Sequence, residues 1–205
     1  MGPSGFEHPF GDAEREVAET DEVPPPIVQA MRELGLFGLA IPEAYGGLGL
    51  TMEEEVRLMF ELCRTSPAFR SVIGSTVGIG SQGIVMDGTD EQKARWLPPM
   101  ARGELVATFA LTEPEAGSDA ASLRTSARRD GEHYVINGTK RFITNAPSAG
   151  VFTLMARTDP ARPTQPASRT IQATNARATL QGTEFIDAPR TTVGVRRVRT
   201  ISVPV

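Results

Sequence analysis

The chain's 205 residues, 40% apolar and 22% charged, allow one large domain or two small ones around a buried core. The net charge of −4 is unevenly spread: residues 1–160 carry 14 basic and 23 acidic side chains, whereas residues 161–205 carry 7 arginines against only Glu184 and Asp187. Cys63 is the only cysteine, which excludes an intrachain disulfide and a cysteine-cluster metal site and suits an intracellular, cytoplasmic protein. Glu7, Asp12, Glu14 and Glu16 stand where a leader would need a basic and then apolar run. The longest uncharged stretch, Ser71–Met86, has 16 residues, short of the ~20 apolar residues of a membrane span, so no membrane insertion is expected.

Residues 1–11 read as a loose tail, and Asp12–Glu22 as an acidic surface helix. Pro24-Pro25-Pro26 leads into a helix over Ile27–Leu34 that Gly35 closes. Leu36–Leu50 is a loop broken by Pro42, Gly46, Gly47 and Gly49. Thr51 followed three residues later by Glu54 is a capping box. Behind it Met52, Val56, Met59, Phe60 and Cys63 recur at helical spacing, predicting a helix to about Arg64 with Cys63 buried on it. Ser71–Met86 reads as a helix buried on most sides, with Gly74, Gly78 and Gly83 permitting close approach. Thr89 and Gln92 form a second capping box, opening a helix that Pro98-Pro99 is expected to end. Residues 1–104 are therefore expected to form a helical domain.

The period then changes. Leu105–Leu111 reads as a strand. Asp130-Gly131 separates strand-like Leu123–Arg129 from Glu132–Ile136, and Asn137-Gly138 separates the latter from Thr139–Thr144; both dipeptides suit two-residue turns. Gly150 precedes a further strand, Val151–Arg157. The fold class expected is α+β: an all-α domain followed by an antiparallel β-meander or barrel over residues 105–160. Residues 161–205 show no clean period and read as an irregular or divergent tail, although Glu184–Asp187 and Thr192–Val198 could form strands. His8 and His133, in a tail and a hairpin, do not make a catalytic pair, and no metal site is expected.

Four ordered stretches carry a family resemblance. Phe109-Ala110-Leu111-Thr112-Glu113-Pro114-Glu115-Ala116-Gly117-Ser118-Asp119 is similar to the signature opening the middle β-domain of acyl-CoA dehydrogenases. Glu33–Gly38 with Ile41–Gly49 resembles that family's first helix and loop. Gly88–Lys93 with Trp96-Leu97-Pro98 resembles the helix before its β-domain, and Gly138–Asn145 its second flavin segment. The resemblance implies FAD as cofactor and acyl-CoA as substrate. It places Phe109, Leu111, Thr112, Gly117, Ser118, Phe142, Ile143 and Thr144 on the cofactor, with Ser118 also touching the substrate. Position 142 is more usually tryptophan; phenylalanine keeps a flat apolar wall without the indole donor.

Family members abstract an α-proton with a carboxylate while a hydride passes from the β-carbon to the flavin. In the family that glutamate belongs to a C-terminal helical bundle. Nothing after residue 160 resembles such a bundle, so the sequence predicts a chain with a flavin-ring half-site and no catalytic residue for the proton. An electron-transferring flavoprotein is the acceptor the resemblance implies, and a homo-oligomer the full-length assembly. Two other readings stay open: a non-catalytic binding module completed by a separate C-terminal chain, and a flavin oxidase or monooxygenase of the same fold. Nucleic-acid binding is not expected, because the body is acidic and Arg196-Arg197-Val198-Arg199 is too short a cluster.

Overall fold

The computed structural model describes residues 11–131, 133–158, 170–174 and 198–204. Helices come first: α1 (Gly11–Thr20), α2 (Pro25–Glu33), α3 (Met52–Leu62), α4 (Pro67–Gly74), a π-helical turn (Ser75–Gly80), α5 (Ser81–Asp87) and α6 (Asp90–Ala101). Strands follow: β1 (Ala107–Ala110), β2 (Ser126–Asp130), β3 (His133–Gly138), β4 (Val151–Met155), β5 (Thr170–Thr174) and β6 (Val198–Pro204). The helical part and then the β part stand as the sequence predicts. Residues 1–10 of the expected loose tail and Glu184–Asp187 lie outside the described residues, as does most of Thr192–Val198, while Gly11 opens α1.

Local chemistry sets most helix starts. The Thr51 amide donates to the Glu54 carboxylate at 2.8 Å and the Glu54 amide to the Thr51 hydroxyl at 3.4 Å. Thr89 and Gln92 repeat the exchange at 2.9 and 3.2 Å. Each cap satisfies otherwise orphaned N–H groups, worth about 1 kcal/mol. Helix α6, however, runs through Pro98 and Pro99 to Ala101. The prolines cannot donate, but their carbonyls accept from Arg102 and Glu104 at 3.2 and 3.0 Å, and Leu97 and Met100 beside them are fully buried. Burial of two such side chains, roughly 1.5–3 kcal/mol each, offsets much of a penalty of about 3 kcal/mol per interior proline.

Helix α3 corrects a second expectation. Its Leu58, Met59 and Leu62 edge packs on the α2–α4 core, whereas Met52, Val56 and Phe60 are 74%, 45% and 72% exposed and Cys63 is exposed. The helix carries two apolar rows, and only one of them turns inward.

In the β part the β2–β3 hairpin forms where predicted, with Gly131 at φ +62°, but its turn is shifted by one residue, because Asp130 belongs to β2 and pairs with His133. Asn137-Gly138 is not a turn. Strand β3 continues through it to pair with β6, and a Cβ at Gly138 would lie 2.2 Å from the Thr125 hydroxyl. The glycine serves close packing there, so Thr139–Thr144 forms no strand. The expected meander order is also replaced. β1 and β4 are parallel, Ala107 opposite Val151 and Ala110 opposite Leu154, and β4 pairs antiparallel with β5. Parallel neighbours need a crossover, and here the β2–β3 hairpin with residues 139–150 provides it. The sheets are ordered β1-β4-β5 and β2-β3-β6.

The helical part meets β1 and β4 along the π-helical turn. The Ala107 amide donates to the Thr76 hydroxyl at 3.1 Å, and the Thr153 hydroxyl donates to the Gly80 carbonyl at 2.7 Å. A Cβ at Gly80 would come within 2.9 Å of Ala107, whereas one at Gly78 would meet open space. Close approach therefore falls on Gly80, not on Gly78.

Candidate functional site

The crossover that makes β1 and β4 parallel carries residues 140–146 back beneath the end of β1. Two pieces of sequence a whole hairpin apart are thereby joined. The Arg141 amide donates to the Thr112 carbonyl at 2.8 Å, the Lys140 ammonium to the Leu111 carbonyl at 2.8 Å, and the Thr108 hydroxyl to the Thr144 carbonyl at 2.5 Å. The motif after β1 and the Phe142–Thr144 stretch form one continuous edge.

The predicted site residues take distinct places on it. Leu111 and Thr112 are half-buried where β1 ends. Phe109 is half-buried within β1, on the strand face opposite Thr108. Gly117 and Ser118 are exposed beyond the Glu113–Ala116 turn, and a Cβ at Gly117 would meet nothing within 4 Å. Phe142 is 59% exposed, with the Arg141 guanidinium over its ring at 5.0 Å from the centroid. Thr144 is exposed, while Ile143 is buried with Ala110, Ile136 and Leu154. The Ile143 side chain thus serves the core, and only its backbone is available to a ligand. Among the described residues the Thr112, Ser118 and Thr144 hydroxyls have no hydrogen-bond partner.

Backbone strain frames the second piece. Phe142 and Asn145 hold φ of 56° and 60°, the left-handed region, at a cost of about 1–3 kcal/mol for a residue with a side chain; asparagine tolerates it best. The Asn145 amide donates to the Ser71 carbonyl at 3.0 Å and the Ser75 hydroxyl at 2.8 Å, bolting the segment to the helical part.

Behind the edge lies an ion pair that the sequence reading did not single out. Lys140 and Glu113, with side chains 4% and 5% exposed, meet at 2.8 Å. The Glu113 carboxylate also accepts from the amides of Arg124 and Thr125 at 2.5 and 2.9 Å. Burial pushes the Glu113 carboxyl up, but these hydrogen bonds outweigh it and hold it below the usual carboxylate range. Burial pushes Lys140 down, with Glu113 offsetting part of the effect. No local signal marked the pair, since Glu113 stands between Thr112 and Pro114 and Lys140 between Thr139 and Arg141, where a charge reads as solvent-exposed.

The apolar cavity of about 80 Å³ lined by Ile27, Met31, Leu34 and Phe69 among other residues shares no residue with this edge. No helix among the described residues is long and apolar enough to cross a membrane.

Comparison with known proteins gives the family. The profile of the acyl-CoA dehydrogenase N-terminal domain matches residues 9–104, and that of the acyl-CoA dehydrogenase middle domain residues 108–203. The chain is 41% identical over 150 residues to a 3-(aryl)acrylate reductase of Clostridium sporogenes, covering 73% of this chain and 40% of that protein. It is 46% identical over 137 residues to a (2S)-methylsuccinyl-CoA dehydrogenase of Cereibacter sphaeroides, covering 67% and 25%. The structure of an acyl-CoA dehydrogenase complexed with FAD from Bacillus anthracis superposes with a TM-score of 0.70 at 29% identity, covering 96% of this chain and 37% of that one. The chain thus spans well under two thirds of these relatives. With both profiles matched in order and the two signature segments joined into one edge, the chain belongs to the acyl-CoA dehydrogenase family.

Proposed function

We propose that the chain supplies the flavin-ring side of an FAD-dependent acyl-CoA dehydrogenase site, for α,β-dehydrogenation of acyl-CoA thioesters. In this reading residues 1–104 form the helical unit and residues 105–160 the flavin-bearing one. The observation that supports it is the union of the Leu111-Thr112 and Phe142–Thr144 pieces by the Arg141–Thr112 backbone bond. The donor set fits a flavin. The unpartnered hydroxyls of Thr112 and Thr144 lie on the edge, the Phe142 ring offers a flat wall, and the open space at Gly117 leaves room for a phosphate group. In this reading Ser118, exposed beyond the turn, contacts both ring and acyl-CoA, as the family resemblance implies. FAD held by these residues would supply the acceptor for the hydride that leaves the β-carbon.

In this reading the chain's own residues bind and orient, and Glu113 does not take the α-proton. Glu113, the carboxylate at the edge, is buried, charged and committed to Lys140, Arg124 and Thr125. A base needs a free carboxylate within reach of the substrate carbon. In this reading, as the family resemblance implies, the base comes from outside the described residues, and an electron-transferring flavoprotein would be the electron acceptor. Within the full assembly a homo-oligomer is the expected form.

FAD titrated into the purified chain, followed by flavin fluorescence and visible absorption, tests the reading. Saturable binding is expected. Thr112→Ala and Thr144→Ala should each weaken it about tenfold, the effect of one lost hydrogen bond of ~1–1.5 kcal/mol, while Thr51→Ala, at a helix cap, leaves it unchanged. No binding, or equal affinity in all variants, overturns the reading. With an acyl-CoA and a dye acceptor, the chain alone should show no turnover. The identity to a 3-(aryl)acrylate reductase supports a second reading, in which the same wall serves reduction of an arylacrylate double bond. Offering both substrates to the flavin-loaded full assembly separates the two.

A further inference from the structure

We propose that the buried Glu113–Lys140 pair is a positioning device that fixes the flavin-facing edge in register, an inference that takes the proposed function as its starting point. The case begins with what the pair is poor at. Taking two charges out of water costs several kcal/mol each in real proteins, and apolar residues of similar volume often serve stability as well. Simple fold stability is therefore a weak reason for an ion pair 4% and 5% exposed.

What the pair does uniquely is geometric. The Lys140 ammonium holds two acceptors at 2.8 Å each, the Leu111 carbonyl and the Glu113 carboxylate. The next residue's amide, Arg141, holds the next carbonyl, Thr112. Consecutive residues of one piece thus grip consecutive carbonyls of the other, and neither piece can slide along the other without breaking several bonds together. Glu113 then ties the same corner to the amides of Arg124 and Thr125. Both residues sit within two positions of edge residues, Glu113 beside Thr112 and Lys140 before Phe142. Neither is offered as a ligand of the ring; they act through the backbone they hold. A flavin hydrogen-bonded along such an edge needs its donors within about 0.5 Å of their places.

The test is the double variant Glu113→Gln/Lys140→Met in the full chain. Glutamine keeps an oxygen for the Arg124 and Thr125 amides, and methionine keeps the apolar stem while removing the grip on Leu111. Amide hydrogen exchange is measured without ligand, alongside thermal unfolding and FAD titration. The expected result is about tenfold faster exchange confined to residues 109–113 and 140–146, the effect of one lost charged hydrogen bond, and FAD affinity lowered by a similar factor. Unchanged exchange in both segments overturns the proposal, as does acceleration spread evenly over β2, β3 and β4 in step with lost stability. Should the double variant not fold, Glu113→Gln alone carries the same two outcomes. If the unaltered chain takes no FAD while exchange localises as expected, the proposed function fails and the positioning role stands.

Discussion

Replacing Gly80 by alanine tests how the helical and β parts are joined. An added Cβ would lie 2.3 Å from the Ser75 carbonyl oxygen and 2.9 Å from both the carbonyl carbon and Cβ of Ala107. Carbon atoms in ordinary contact sit about 3.5–4.0 Å apart, so the π-helical turn and β1 must separate by roughly 0.5–1 Å. Backbone atoms cannot swing aside as a long side chain would. Overpacking of this kind costs about 1–3 kcal/mol, and the separation stretches the Ala107–Thr76 and Thr153–Gly80 hydrogen bonds, each worth about 1 kcal/mol. Alanine's helix preference over glycine returns at most ~1 kcal/mol. The clash wins, leaving a net loss of about 2–3 kcal/mol and a fall in Tm of roughly 4–12 °C at 2–4 °C per kcal/mol. Gly78→Ala is the internal control. It lies two residues away in the same turn, meets nothing within 4 Å, and should be neutral or raise Tm by ~1–4 °C. Circular-dichroism melts of both variants decide the matter. Equal melting temperatures refute the seam as described.

Asn145→Ala removes the two hydrogen bonds to Ser71 and Ser75 and leaves alanine in a left-handed conformation. A loss of about 2–3 kcal/mol follows, read as a lower denaturation midpoint with unchanged slope; Asn145→Gly should recover the backbone part only. Because hydrogen bonds hold the Glu113 carboxyl below its unfolded value, its stabilisation is fully present above the unfolded pKa and is lost as pH falls through the lower folded value. Stability of the unaltered chain should therefore fall more steeply on acidification than that of Glu113→Gln, and parallel acid limbs contradict the assignment. Cys63, exposed at the end of α3, should react stoichiometrically with a thiol reagent under native conditions; protection from it contradicts the outward placement of the Met52–Phe60 row.

Where a local rule had no competitor, the structure is legible in the sequence. Both capping boxes, the Pro24–Pro26 helix start and the β2–β3 hairpin, one residue off the predicted turn, involve residues within a few positions of one another. The misreadings share a cause, which is that tertiary contacts decide between equally good local options. Gly138 looks like a turn residue until Thr125 is found pressed against it, and Pro98-Pro99 looks like a stop until Leu97 and Met100 are found buried. Periodicity showed that α3 has an apolar row but not which of two rows faces in. At the candidate site, the signature motif singled out Thr112, Gly117 and Thr144, because each lies inside a short contiguous stretch, and the structure has Thr112 half-buried and the other two exposed. The motif did not locate Lys140, Glu113 or Asn145, whose partners lie 27 and 70 or more positions away. No single-sequence pattern carries those distances.

The central claim is that residues 111–118 and 142–144 form one face for a flavin. Amide hydrogen exchange of the full chain with and without saturating FAD reads that face directly. Concerted protection of both segments, with little change in α1–α3, is the result predicted here. FAD protection at one segment without the other contradicts it.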